Sequence, residues 1–224
     1  MSVVPAHPGP VVVVGSGGFA AELVHYLRAC QATTPGLTLA GVVDDHLAGP
    51  APDSLCGLPF LGGMQAAARL PDCRFVVATG TPRFRRETIE ALRAAGHGLY
   101  TLVHPLALVA PDAVIGEGSI VAPHAIVNAR ARLGLGSVVN VFCSVGHDSE
   151  VGAFSVLSPY AALNGWSSIG EQCFLGTRAT IFPRVHLGRQ CQVDSHAYVK
   201  ADTGDRMIIS VRGDYRVLHN RLEN

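Results

Sequence analysis

The chain has 224 residues, with 17 Lys and Arg against 17 Asp and Glu, so its formal net charge is zero. Proteins that bind nucleic-acid phosphates or anionic membranes carry a basic surplus, so the balance argues against both kinds of partner. Charged residues make up only 15% of the chain and apolar residues 48%, which excludes a disordered tail. No apolar run reaches the roughly 20 residues that a membrane-spanning helix needs.

The cysteines and the N-terminus bear on the cellular compartment. Six cysteines occur without a CxxC pair or the spacing of a zinc site. The first ten residues are rich in proline and lack the basic and apolar regions of a signal peptide. We therefore expect a soluble cytoplasmic protein with reduced thiols and no metal.

The first hundred residues alternate short apolar runs with helical patterns. They predict strands over residues 11–14, 37–43, 75–78 and 99–103, and helices that end near residues 29 and 95. Such alternation is typical of a small parallel sheet covered by helices.

A glycine-rich turn joins the first predicted strand to the first helix. Gly15-x-Gly17-x-x-Ala20 matches the dinucleotide-binding fingerprint, with alanine in the place of the third glycine. Glycines let backbone N–H groups approach a phosphate, and a helix N-terminus favours its charge. Asp44 ends the second strand and is a candidate acceptor for a ribose or sugar hydroxyl. An NAD dehydrogenase is one interpretation, but three or four strands are about half of a dinucleotide-binding sheet, which favours a nucleotide sugar.

From residue 109 onward the sequence repeats every six residues. All sixteen positions in steps of six from Val109 to Val199 are aliphatic, and fourteen of the fifteen positions four residues further on are Ala, Ser or Cys. Helices repeat every 3.6 residues and exposed strands every two, so a period of six favours a β-solenoid. Three repeats complete one triangular coil, so residues 109–198 predict five coils, about 24 Å in length. Three cysteines fall in the small, inward column and are expected to pack rather than react: Cys143, Cys173 and Cys191.

One histidine stands apart from the other nine. His147 lies at a predicted corner of the solenoid and directly precedes Asp148. A neighbouring carboxylate increases the basicity of an imidazole and fixes which nitrogen carries the proton. Gly165 follows eighteen residues later, in the same column one coil on and about 5 Å away. Its backbone N–H is a candidate donor to an oxyanion that develops near the imidazole.

Together these features resemble the NeuD/PglD-like sugar O- or N-acyltransferases. The resemblance extends from Val11 to about Lys200, and its most specific segments are 140–148, 151–155 and 169–176. It implies a small Rossmann-like sheet followed by a left-handed parallel β-helix, an α/β plus β-solenoid fold. The expected divisions are a nucleotide-sugar-binding domain over residues 1–105, an acyltransferase domain over 106–201 and a C-terminal tail over 202–224. It also implies a homotrimer with active sites between subunits.

The resemblance further implies the reaction and the site. An acetyl group passes from acetyl-CoA to the amine of a nucleotide-linked amino sugar by direct attack. His147 is then the general base, and Asp148 increases its basicity. The positions that match the family's substrate-binding residues are Gly17, Gly18, Phe19, Asp44, Asp45, Gly80 and Asn140. The positions that match its CoA-binding residues are Val156, Thr177 and Ser195.

Several positions depart from the family pattern and keep alternatives open. Val156 stands where relatives often have histidine, and the bulky Trp166 follows Gly165. Arg212 and Arg216 are candidates for pairing with CoA phosphates. The alternatives are a non-sugar amine or a sugar hydroxyl as acceptor, or a non-catalytic nucleotide-sugar-binding scaffold. A zinc site of the γ-carbonic-anhydrase kind is disfavoured, because His124 and His147 are 23 residues apart and do not stack.

Overall fold

The computed structural model describes residues 7–47 and 52–211. Its first part is built from these elements: β1 (Gly9–Val14), α1 (Gly18–Gln31), β2 (Leu37–Val43), β3 (Ser54–Leu55), β4 (Leu58–Gly62), a 3₁₀ helix (Met64–Arg69), β5 (Arg74–Val77), α2 (Pro82–Ala94) and β6 (Gly98–Leu99). Within the described residues they form a six-stranded sheet in the order β3-β4-β2-β1-β5-β6. All pairs in it are parallel except β3 with β4.

Strand β1 is buried on both faces of this sheet. Val11 and Val13 belong to the apolar cluster that contains α1, whereas Val12 and Val14 belong to the cluster that contains α2. Because successive side chains in a strand point to opposite faces, the two helices cover opposite sides of the sheet. This double burial explains the uninterrupted run of valines, which is typical of a central parallel strand.

The hairpin of β3 and β4 was not predicted from the sequence. Its two-residue turn consists of Cys56 and Gly57, with φ of 53° and 71°. Two-residue turns with positive φ match the twist of paired antiparallel strands. The sheet therefore has more strands than the three or four expected, because a cysteine occupies a turn position where Asn, Asp or Gly gives the usual signal.

The second part of the chain is a stack of very short strands. In chain order they are β7 (Leu102–Val103), β8 (Leu108–Val109), β9 (Val114–Ile115), β10 (Ile120–Val121), β11 (Ile126–Val127), β12 (Arg132–Leu133), β13 (Val138–Val139), β14 (Ser144–Val145), β15 (Glu150–Val151), β16 (Val156–Leu157), β17 (Ala162–Leu163), β18 (Ser168–Ile169), β19 (Phe174–Leu175), β20 (Thr180–Ile181), β21 (His186–Leu187), β22 (Gln192–Val193), β23 (Tyr198–Val199) and β24 (Ile208–Ile209). Neighbours are parallel, and up to β23 each strand pairs with those eighteen residues away. The stacked parallel sheets fit the solenoid that the six-residue repeat predicts.

The strands form three faces of a triangular prism. The first face contains β7, β10, β13, β16, β19, β22 and β24, the second contains β8, β11, β14, β17, β20 and β23, and the third contains β9, β12, β15, β18 and β21. We call the edge between the first and second faces the first corner, that between the second and third faces the second corner, and the remaining edge the third corner. In a triangle, the second corner lies opposite the first face.

The interior of the prism is filled by the two columns of the repeat. The second residue of most strands is buried, and so is the small residue of each corner. Cys143, Cys173 and Cys191 are all buried, as expected for packing residues. Burial raises the pKa of the Cys143 and Cys173 thiols to about 12, so neither is a thiolate at neutral pH.

The solenoid extends beyond its predicted bounds at both ends. Leu102–Val103 pairs with Ile120–Val121 rather than with the N-terminal sheet, whose last strand is β6. The run 99–103 is therefore two strands, because the chain leaves the first sheet after Leu99. At the other end, β24 pairs with β22, so residues expected in the tail add a further strand. No helix within the described ranges is both long and apolar enough to cross a membrane. Arg212 and Arg216 lie outside the described residues.

The N-terminal part packs on the first face of the prism. Leu23 and Leu27 of α1 share an apolar cluster with Ile120 and Val138, which point outward from that face. The end of α1 contacts the first coil, since the Cys30 thiol donates to the Val103 carbonyl. The N-terminal part of the chain thus covers the first face from β7 to β16.

Arg85 of α2 joins the two parts of the chain. Its side chain is fully buried, and burial lowers its pKa to about 9. The guanidinium donates to the carbonyls of Val77 at 2.6 Å, Gly118 at 2.9 Å and Gly136. Val77 ends β5, whereas Gly118 and Gly136 lie at the third corner, so one side chain connects the sheet to two coils.

We predict that Arg85→Met destabilises the protein by about 3 kcal/mol. Each buried carbonyl that loses its donor costs about 1–3 kcal/mol, and relief of the cost of burying the cation offsets part of this. Urea unfolding measures the change. Arg93→Met is the matched control, because Arg93 is an exposed residue of the same helix. Equal stability of the two variants would contradict the prediction.

Candidate active site

The second corner brings His147 and Asp148 together. Strand β14 ends at Val145, and the chain turns through Gly146 to reach them. Nδ1 of His147 lies 2.8 Å from Oδ2 of Asp148, and the two side chains are 45% and 21% exposed. An aspartate on Nδ1 makes that nitrogen the protonated one and leaves Nε2 as a free base. This is the arrangement that a general base requires.

Arg130 fixes the Asp148 carboxylate from the preceding coil. Its Nε lies 2.6 Å from Oδ1 of Asp148, and its Nη2 lies 2.9 Å from Oδ2. The Arg130 guanidinium, followed by the His147 ring, holds the pKa of Asp148 well below its usual range. Sequence analysis missed Arg130, although it precedes Asp148 by the eighteen residues of one coil.

We predict that Arg130→Gln makes the stability of the protein less dependent on pH in the acidic range. The lowered pKa of Asp148 gives a stabilisation that is present above its ordinary pKa of about 4 and is lost as the pH falls below it. The gap in urea midpoint between the parent and the variant should therefore be widest near neutral pH and narrow below about pH 4.

Arg132→Gln provides the control for that titration. Arg132 is an exposed arginine two residues away and makes no ion pair among the described residues. Its variant should follow the parent at every pH. A gap for Arg130→Gln that stays constant from pH 7 to pH 3 would show that the ion pair does not set the titration of Asp148.

Gly165 lies against the free nitrogen of His147. A Cβ atom at Gly165 would be 2.6 Å from Nε2 and 2.7 Å from Cε1 of the imidazole. Only glycine allows the ring this position. The Gly165 N–H has no acceptor within the part of the chain that the structure describes, so it is free to donate to an oxyanion.

Trp166 and Arg184 continue the same corner in the next two coils. The Trp166 ring stands perpendicular to the His147 ring, with 4.3 Å between centroids. The Arg184 guanidinium carbon lies 4.4 Å from the centre of the Trp166 ring. Sequence analysis noted the bulk of Trp166 but not these contacts, which only the coil spacing reveals.

The residues matched to CoA and sugar contacts lie elsewhere on the prism. Asn140, Thr177 and Ser195 belong to the first corner, one side of the triangle away from His147. Asn140 accepts a hydrogen bond from the Val141 N–H at 2.7 Å. Val156 is only 3% exposed and packs in the cluster under α1. Its side chain is therefore not free to contact CoA in this chain.

A cavity of about 540 Å³ opens at the carboxyl ends of β1, β2 and β5. It is lined by Gly15, Asp44, Asp45 and Thr79, among others. The Asp44 carboxylate accepts from the Ser16 hydroxyl and the His46 N–H, which holds it in place. Asp45 accepts from the Met64 N–H at 2.7 Å. Such a cavity at the carboxyl edge of a parallel sheet is the usual place for a ligand in this type of sheet.

The glycines that follow β1 and β5 have room for a ligand. A Cβ atom at Gly17, Gly18 or Gly80 would meet nothing within 4 Å. Gly17 caps the start of α1, where helical N–H groups attract an anion. Phe19 is half-buried and packs in the cluster between α1 and the first face.

The cavity and the dyad are on opposite sides of one chain. The N-terminal part sits on the first face, and a second cavity joins the start of α2 to Gln172 and Gln190 of the third corner. His147 is at the second corner, which is opposite the first face. The prism thus separates a ligand in the sheet cavity from the dyad of its own chain.

No group of three or more His, Cys, Asp and Glu side chains is arranged to hold a metal within residues 7–47 and 52–211. His124 instead stacks on Phe142, with ring centroids 5.0 Å apart.

Comparison with known proteins identifies the family. No family model matches the chain. PerB from Caulobacter crescentus, solved with CoA and GDP-perosamine, is 33% identical, with a TM-score of 0.82 over 93% of this chain and 98% of that one. The acetyltransferase domain of PglB from Neisseria gonorrhoeae, in complex with acetyl coenzyme A, is 31% identical, with a TM-score of 0.79 over 90% of this chain and 96% of that one.

A curated relative gives the same class. UDP-N-acetylbacillosamine N-acetyltransferase of Bacillus subtilis is 31% identical over 121 residues, which is half of this chain and half of that relative. The chain belongs to the NeuD/PglD-like family of sugar acetyltransferases.

Proposed function

We propose that this protein transfers an acetyl group from acetyl-CoA to the amine of a nucleotide-linked amino sugar. The observation that carries the proposal is the partly exposed His147–Asp148 dyad with Gly165 against Nε2, since the Gly165 N–H has no acceptor among the described residues. Membership of the family and relatives that bind CoA and GDP-perosamine support it. Perosamine N-acetyltransferase from C. crescentus has also been solved with one histidine changed to asparagine, again with CoA and GDP-perosamine.

The chemistry is a direct transfer. The amine nitrogen of the sugar adds to the thioester carbonyl carbon, and Nε2 of His147 takes a proton from that amine. The oxyanion accepts from the Gly165 N–H. The C–S bond then breaks, and the imidazolium returns the proton to the sulfur of the leaving CoA. Asp148, held by Arg130, keeps the imidazole in the required tautomer throughout. The buried cysteines take no part.

We infer that the active site forms between copies of the chain. The second face directs uncharged side chains outward, and Leu108, Ile126 and Tyr198 among them are 65%, 37% and 50% exposed. In a homotrimer with this face toward the axis, the second corner of each copy lies beside the first corner of the next. His147 then lies beside the first corner of the neighbouring copy. The first corner of its own chain is one side of the prism away.

The roles of the remaining residues follow from this arrangement. Asn140 lies beside the sugar, and Thr177 and Ser195 contact CoA; Val156 supports that corner by packing. Gly17, Gly18, Phe19, Asp44, Asp45 and Gly80 hold the nucleotide sugar in a Rossmann-like domain, and the solenoid coils left-handed, as in the family. We infer a cytoplasmic enzyme, since the described cysteines are all free thiols.

A direct assay tests this function. Purified protein is incubated with acetyl-CoA and either GDP-linked or UDP-linked amino sugars, while thiol release and acetylation of the sugar are followed. We expect equal amounts of both products, and a trimer by light scattering. The control is the same nucleotide sugar with a hydroxyl in place of the amine.

Other outcomes would reassign the protein. Transfer to the hydroxyl or to simple amines would change the acceptor class. Binding of nucleotide sugars without affinity for acetyl-CoA, measured by a shift in melting temperature, would indicate a non-catalytic scaffold.

A further inference from the structure

The single tryptophan of the chain lies on the candidate base. Trp166 is 46% exposed, yet its ring contacts the His147 ring at 4.3 Å between centroids and an angle of 89°. It is the only tryptophan among the 224 residues. An exposed indole perpendicular to a catalytic imidazole is an aromatic contact of favourable geometry.

The fold itself does not require a large residue at this position. Trp166 has a φ of 57°, the left-handed backbone that most corner tips adopt. Gly118 and Gly136 occupy equivalent tips at the third corner with φ of 68° and 62°. A glycine adopts this backbone without strain, whereas a residue with a side chain is disfavoured by roughly 1–2 kcal/mol. The tip lies outside the prism core, so packing of the core does not explain the indole.

The indole is itself held in place by the next coil. The Arg184 guanidinium lies 4.4 Å from the centre of the ring, a cation–π contact. Arg184 makes no ion pair among the described residues. The indole of Trp166 is thus held by two neighbours along the corner, the His147 imidazole and the Arg184 guanidinium of the following coil.

The imidazole then has three neighbours that limit its rotation. Asp148 holds Nδ1 at 2.8 Å, Gly165 lies against Nε2, and the Trp166 ring packs on the imidazole with 4.3 Å between centroids. Without the indole, only Asp148 and Gly165 restrain this half-exposed imidazole. We infer that Trp166, supported by Arg184, is a positioning residue that holds the His147 ring with Nε2 against Gly165. This inference rests on the proposed function.

Steady-state kinetics of three proteins test the role. We expect Trp166→Ala to lower kcat about tenfold or more, because small displacements of a reacting group are costly. KM for both substrates should change little, since the indole is assigned to the base rather than to binding. Trp166→Phe should recover most of the activity, because a phenyl ring keeps the perpendicular contact. Circular dichroism and melting temperature show that each variant is folded.

Fluorescence gives a readout that does not depend on acetyl transfer. Excitation at the red edge of the indole band reports Trp166 alone, and a protonated imidazole in contact with an indole quenches its emission. The charged and titratable groups that face the two rings are Asp148, Arg130 and Arg184. We expect emission to fall as the pH is lowered below neutral, where an imidazole takes up a proton. His147→Asn should abolish this step, whereas His186→Asn, at an exposed histidine of the third face, should keep it.

The results separate this inference from the proposed function. Loss of the quenching step in His147→Asn supports the contact even if no acetyl transfer is found, in which case only the proposed function fails. A step that survives in His147→Asn overturns the inference. So does parental kcat in Trp166→Ala while the enzyme is active.

Discussion

Replacing His147 with asparagine is expected to lower kcat by about 10²–10⁴-fold, the typical contribution of a general base. Asparagine keeps a polar side chain of similar reach at Asp148 but offers no basic nitrogen to the amine. KM for acetyl-CoA and for the nucleotide sugar should stay near the parental values, because the base acts in the transition state. The release of CoA, followed by thiol detection, measures the effect.

Protein stability separates this effect from misfolding. His147 is half-exposed, so His147→Asn should unfold in urea within about 0.5 kcal/mol of the parent. His186→Asn is the matched control for kinetics, since that histidine is an exposed residue of strand β21 and makes no contact with His147 or Asp148 among the described residues. Parental turnover by a folded His147→Asn variant would remove His147 from the mechanism.

Replacing Gly165 with alanine is expected to lower kcat by about 10²-fold or more, although only one methyl group is added. That methyl would lie 2.6 Å from Nε2 and 3.3 Å from Cδ2 of His147, so the imidazole must move away. The Gly165 N–H remains, so the loss reports the displaced base rather than a missing oxyanion donor. The same coupled assay measures it.

The fold should tolerate this alanine. The nearest atoms to the new methyl belong to the half-exposed side chain of His147 rather than to backbone, so the melting temperature should change little. Gly204→Ala is the control, because its methyl would have only Met207 Cε nearby, at 3.8 Å. Equal activity of the two alanine variants would show that Nε2 has no role at Gly165.

These predictions concern the second corner, whose residues come from coils that are far apart in sequence. Arg130, Asp148, Trp166 and Arg184 are each eighteen residues apart and form one column along the second corner. The period of the solenoid converts a fixed sequence interval into a distance of about 5 Å. A change of one residue in loop length between them would shift every partner in the column.

Much of the fold follows from patterns of local sequence. The six-residue period predicts the stacked parallel strands because one large and one small residue must point inward in every repeat. It also predicts the burial of Cys143, Cys173 and Cys191. The valine run of β1 and the glycine turn after it predict a parallel strand followed by a helix. These inferences succeed because each depends on a repeated or short-range requirement of the backbone.

Other elements were missed for physical reasons. The β3–β4 hairpin turns on Cys56 and Gly57, a pair that lacks the common turn signature. The start of the solenoid at Leu102 was missed because the sequence of a two-residue strand does not indicate which of the two sheets it joins. The burial of Arg85 was not predicted from the sequence either, because an arginine on a helix is usually exposed. Its burial depends on carbonyls from β5 and from two coils.

The sequence by itself determined the solenoid, its register and the adjacent pair His147–Asp148, because the period and chain adjacency are local properties. Only the tertiary structure decided that Arg130 binds the Asp148 carboxylate, that the Trp166 ring packs against the imidazole and that Val156 is buried. It also decided that the sheet cavity lies across the prism from the dyad. Those facts depend on which faces pack and which stay exposed, and that choice is made by the burial of apolar surface over the whole chain.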